Sequence, residues 1–147
     1  MSKSTPLIYE NVFGKSTEKA VAALKIKTKI YCYLFNEAFN TNIENTTQYV
    51  GTKITVVATL YDEFNKVLDG KSVDIYHKLD TGTVEKIRTV TIGTTSDHGI
   101  PSHGGADIYY TLAKAGTHTF YTQFAGDDTY EGCSKEVKAF ARPCTVC

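Results

Sequence analysis

A chain of 147 residues, 41% hydrophobic and 22% charged, is long enough for one well-cored domain, too short for two ordinary ones, and too apolar to be disordered. Lys+Arg and Asp+Glu are each 16, so a net charge of +0 offers no bulk field to nucleic acid or anionic lipid, and neither partner is expected. With 10 Tyr, no Trp and abundant Thr and Val, the composition favours strands, where β-branched and aromatic side chains pack on a pleated surface.

Residues 1–27 differ from the rest and read as an N-terminal arm. Pro6-Leu7-Ile8-Tyr9 is extended in character, and Ser16 is placed to cap a short helix running to Leu24. The start shows no apolar core followed by a small-residue cleavage site, and no apolar run approaches the ~20 residues of a membrane span. No export signal and no membrane insertion are therefore expected.

From Thr28 the pattern becomes one of strands. Ile30, Cys32 and Leu34 alternate with other residues, as do Ile54, Val56, Ala58 and Leu60, which places each set on one face of a period-2 strand. The Asn- and Thr-rich stretch from Asn36 to Gly51 reads as turn and loop, with Asn45-Thr46-Thr47 matching the glycosylation pattern in what is otherwise an ordinary polar loop. Asp69-Gly70 makes a turn before a strand at Ser72–Tyr76. Further strands follow at Val84–Ile92, Ala106–Leu112, His118–Phe124 and Cys133–Ala141, with breaks at Asp97–Gly105, Ala115-Gly116 and Gly126–Tyr130. About seven short strands predict an all-β, antiparallel β-sandwich over residues 28–141, preceded by the arm and followed by a Cys-containing tail, 142–147.

Two stretches carry a family resemblance. Val50-Gly51 through Leu60-Tyr61-Asp62, continued by Val67-Leu68-Asp69-Gly70 and Val73-Asp74-Ile75-Tyr76, and then Leu112 through Gly116-Thr117-His118-Thr119-Phe120 to Gly126-Asp127 and Tyr130, resemble the bacterial-type immunoglobulin-like domains of prokaryotic surface proteins and phage particles. The resemblance spans about residues 50–141 and implies an immunoglobulin-like sandwich. It departs from the antibody type, because the strands around Ile54 and Phe120 hold no cysteine and the chain has no Trp. Tyr130 is expected to close the sandwich edge with its ring, its hydroxyl seeking a partner.

Candidate chemistry is sparse. Asp97, His98, His103 and Asp107 share one Gly-rich loop, so His98 and His103 are the candidates for a transition-metal site, although their spacing matches no established motif and a solvated loop is the plainer expectation. His77 and His118 carry the parity of core residues and are expected to be structural. Asp127 or Asp128 is a candidate for a weak calcium site. No phosphate loop, HExxH or GxSxG occurs, so no enzyme and no cofactor are expected. Cys32, Cys133, Cys144 and Cys147 are open to disulfides, a four-thiolate zinc site or free thiols.

The leading expectation is a structural module of a virion or cell surface that binds protein, itself or other subunits, through sheet edges and the arm residues Leu7, Ile8, Tyr9, Val12 and Phe13. A glycan-binding or adhesive module, using the loops near Asp97–Gly105 and Tyr130, is the alternative. A metal or redox role through the cysteines comes third.

Overall fold

The computed structural model describes residues 24–37 and 40–144. Nine strands follow one another: β1 (Thr28–Asn36), β2 (Thr41–Asn42), β3 (Thr47–Tyr49), β4 (Lys53–Asp62), β5 (Ser72–Leu79), β6 (Glu85–Thr91), β7 (Gly105–Thr111), β8 (Gly116–Phe124) and β9 (Cys133–Arg142). They form two sheets, ordered β2-β1-β4-β7 and β3-β9-β8-β5-β6. The all-β sandwich expected from alternation is therefore present. The seven strands read from alternation all form; β2 and β3, inside the stretch read as loop, bring the total to nine.

Alternation decides which residues meet between the sheets. Ile30, Cys32 and Leu34 from β1 and Ile54, Val56, Ala58 and Leu60 from β4 point inward, against Val73 and Ile75 of β5, Phe120 of β8 and Val137 and Ala139 of β9. A one-residue slip in any of these strands would turn its apolar set to water, which fixes the register.

All pairings between strands are antiparallel except one. β3 runs parallel to β9, with Gln48 opposite Ala141, and the chain crosses from the first sheet to the second between β2 and β3, over residues 43–46. Asn36 Nδ2 donates to Gln48 Oε1 at 3.0 Å across that crossing. Ile26, assigned to the arm by sequence, belongs to the domain: its N–H donates to Thr129 O and its carbonyl accepts from the Glu131 N–H. At the other end β9 runs one residue further than predicted, to Arg142. The short helix expected at Ser16–Leu24 lies outside the described residues but for its last residue.

Candidate functional site

The outer face of β1, β4 and β7 is the most distinctive surface. The odd-numbered residues of β1 put three rings in a row, Tyr31, Tyr33 and Phe35, with centroids 6.3 and 6.4 Å apart, and Tyr61 from β4 joins Tyr31 at 6.3 Å. Tyr31 is 38% exposed. The row lies beside an open edge. Leu34 O accepts from the Ile43 N–H on the β2 side, so by alternation the backbone groups of Ile30 and Cys32 face the same way. β2 pairs only with Phe35 and Asn36, which leaves β1 from Thr28 to Tyr33 without a strand partner on that side among the described residues.

Phe35 ends the row at a groove of about 490 Å³ whose floor is Thr55, Val57 and Thr59 of β4 and whose wall is the loop between β6 and β7. That loop is held at both ends. At one end, Arg88 reaches Asp97 with two hydrogen bonds of 3.1 and 3.2 Å. At the other, Asp69 accepts from the Gly104 N–H at 2.6 Å and pairs with His103 at 2.7 Å. Gly104 is required there: its φ is 77°, and a Cβ would come within 2.7 Å of Val67. Ile100, 79% exposed, stands on the rim, and Thr59 Oγ1, buried in the floor, has no hydrogen-bond partner.

His98 latches the loop across the sheet. Its Nδ1 lies 2.6 Å from Asp107 Oδ2 and its Nε2 2.9 Å from Glu37 Oε2, while the other Glu37 oxygen accepts from Thr55. Two carboxylates can both be satisfied only by an imidazolium, which carries N–H on both nitrogens. Accordingly, hydrogen bonding to Asp107, and then to Glu37, holds His98 above its ordinary 6.5, and the same bond draws Glu37 down. A folded-state pKa raised in this way contributes stability that is complete below the unfolded value and is lost as pH rises through the folded one. The difference in urea midpoint between the native chain and His98→Gln should therefore be widest near pH 5.5 and shrink by about pH 9, amounting to about 1 kcal/mol at most for so exposed a latch. A difference that is flat with pH would show that His98 is neutral.

His98 and His103 are the two metal candidates of a loop for which solvation is the plainer expectation. Each imidazole is tied to carboxylates from other elements, and among the described residues no group of three or more His, Cys, Asp or Glu side chains is arranged to hold a metal ion. Asp127 does not wait for calcium either. It accepts from Lys71 at 2.6 Å and from the Thr129 and Tyr130 N–H groups, which hold its carboxyl down at about 2. Lys71 Nζ also lies 5.1 Å from the Tyr130 ring, which packs against the core at the sandwich edge.

Of the four cysteines, which the sequence leaves open to disulfides, zinc or free thiols, Cys32 and Cys133 are free thiols. Cys32 is 2% exposed on the core face of β1, and burial pushes its thiol up to about 12. Thr28 Oγ1 donates to Glu131 O at 2.7 Å and lies 3.1 Å from Cys133 Sγ. Cys144 ends the described chain; Cys147, like Leu7, Ile8, Tyr9, Val12 and Phe13, lies outside the described residues.

Sequence parity placed His77 and His118 correctly on core faces but did not reveal that they meet. His77 Nε2 is 2.8 Å from His118 Nδ1, His118 Nε2 is 2.7 Å from Lys114 O, and the Tyr110 hydroxyl is 3.2 Å from His77 Nδ1. The Lys114 carbonyl can only accept, so His118 carries its proton on Nε2, His77 donates from Nε2, and Tyr110 donates to His77 Nδ1. His118 is 2% exposed, whereas His77 opens onto a second cavity of about 380 Å³ at the end of the sandwich.

No protein-family model matches the chain, and no curated protein does. Among solved structures, a β-glucosidase from Listeria innocua in complex with glucose aligns at 11% identity and a TM-score of 0.42, over 81% of this chain and 17% of that one. The chain thus spans about a sixth of the length of that protein.

Proposed function

We propose that the chain is a non-enzymatic, immunoglobulin-like structural module that joins a larger viral or extracellular assembly, and that the open edge of β1 receives the N-terminal segment of a second copy. The observation that carries this reading is the stretch Thr28–Tyr33, which has no strand partner on its outer side among the described residues and lies beside a row of three rings, since an open edge is a template for an incoming strand. The immunoglobulin-like part is supported by strand order: β1, β4 and β7 stand opposite β6, β5, β8 and β9, as strands A, B and E stand opposite C′, C, F and G.

The occupant is argued from where the chain enters. Ile26 pairs with the Thr129–Glu131 segment, next to the second sheet. The 23 residues before Leu24 would span about 75 Å if extended, enough to cross to a neighbour. Leu7, Ile8, Tyr9, Val12 and Phe13 supply apolar side chains for the row of rings.

Sedimentation velocity across concentrations tests this. The native chain should associate, and Ile8→Asp with Phe13→Asp should make it monomeric without moving its unfolding midpoint. Monomers whose midpoint falls with those substitutions would mean that the arm folds onto its own domain. A native chain that is monomeric at every concentration would overturn the reading and leave the ring row and groove to a glycan.

A further inference from the structure

We propose that the bridge between His98 and Glu37 is a latch across the groove, closed while the imidazole is protonated and open when it is neutral, and that its release lets residues 98–103 swing away from the groove floor. The latch is independent of what binds at the β1 edge.

Three strands set the geometry. β4 runs between β1 and β7, so Thr55, Val57 and Thr59 form the floor, Glu37 stands on the β1 side and Asp107 on the β7 side. The contact of His98 Nε2 with Glu37 Oε2, at 2.9 Å, therefore joins one wall to the other, whereas that of His98 Nδ1 with Asp107 Oδ2, at 2.6 Å, stays within one wall. The segment carrying His98 is fastened at its ends and loose between them. Before it, the Asp97 N–H donates to Asp107 O and the Tyr109 N–H to Asp97 Oδ2. After it, the Gly104 N–H donates to Asp69 Oδ1 and Gly104 O accepts from the Leu60 N–H. Residues 98–103 are all exposed, and among the described residues only the His98 and His103 side chains bond them to groups outside the 96–105 stretch. Gly99 follows His98 with a φ of 88° and open space where a Cβ would stand, so the chain can pivot there.

Protonation decides whether the walls stay joined. A neutral imidazole has one N–H, so it serves one carboxylate and turns a lone pair to the other. Asp107 is the nearer partner and the larger influence on His98, so Glu37 is the one released. Once free, Glu37 keeps the Thr55 hydroxyl and the attraction of Lys53 on β4, whose ammonium lies 4.0 Å over the Tyr109 ring. The remaining charges are already matched: Asp97 is held by Arg88 of β6, and Asp69 pairs with His103 at the far end of the segment. Because both carboxylates hold His98 above its ordinary 6.5, the latch is closed in mild acid and opens as pH rises through that raised value.

The test is relaxation of the backbone Cα carbons of the full chain, which water exchange does not disturb, between about pH 5.5 and about pH 9. For residues 99–103 the order parameter should fall from about 0.85 to below about 0.6, with a midpoint that coincides with titration of the His98 ring. The His98→Gln chain should be mobile there across the whole range. Glu37→Gln should keep the response and move its midpoint to lower pH, since one carboxylate then holds the imidazolium instead of two. His103→Gln should leave the midpoint where it is. A segment equally ordered at both ends of the range, a His98 ring that does not titrate between them, or a response that survives His98→Gln would each overturn the proposal.

Discussion

Tyr31→Lys combined with Tyr33→Lys should abolish the association proposed for the β1 edge and leave a monomer. Both side chains stand on the outer face of an edge strand, and a lysine there obliges any incoming strand to bury an ammonium against its own apolar residues, the device by which edge strands resist pairing. Two charges side by side make the obstacle hard to avoid by a shift of register. The folded domain loses the ring contacts of Tyr31 with Tyr33 and Tyr61 and of Tyr33 with Phe35, at a cost of about 1–2 kcal/mol for partly exposed aromatic pairs. Sedimentation should thus show monomers, while a urea melt shows a modest fall in midpoint. Association that survives both lysines would place the interface elsewhere.

The largest loss of stability is expected from Phe120→Ala. Phe120 is fully buried and its ring lies 5.1 Å from His77 and 5.2 Å from Tyr110, edge-on to the latter. Removing it takes away a large apolar side chain and leaves a cavity that neighbours pinned by hydrogen bonds cannot easily fill, so the cost should be about 3–5 kcal/mol. With a urea m-value of about 2 kcal/mol/M, the midpoint falls by about 2 M. The same cavity admits water beside His77 and relieves the burial that depresses its pKa, so the titration of that ring should climb from about 4 towards 6.5. Phe120→Leu should cost far less. A Phe120→Ala chain that melts within about 0.5 M of the native midpoint would mean that this cluster does not anchor the two sheets.

What could be read from sequence was what side-chain periodicity records. β4 and β8 announce themselves because their apolar residues fall on one parity, and the turn residues at Asp69-Gly70 and Gly126-Asp127 mark the breaks. β2 and β3 leave no such trace: Thr41–Asn42 and Thr47–Tyr49 are short and polar, and they are strands only because their backbones pair with β1 and β9. The groove was half legible. His98 and Asp107 stood together in one loop, yet Glu37, which completes the latch, comes from the far end of β1 and becomes a neighbour only through the sheet. His77 and His118 were visible as core-parity histidines, but their meeting depends on the β5–β8 register, which sets Leu79 opposite His118 and His77 opposite Phe120. No local pattern encodes a register between strands so far apart in the chain.

β9 is the last of the nine strands among the described residues, yet it occupies an inner place in its sheet, between β3 and β8. During synthesis every earlier strand emerges before the one that joins them. Until Cys133–Arg142 arrives, β8 has one side unpaired, β3 has no partner at all, and the core lacks Val137, Ala139 and Ala141. The nascent chain therefore stays open along that seam and closes in a single late step, so chains cut short before β9 should be prone to aggregate rather than fold as smaller domains.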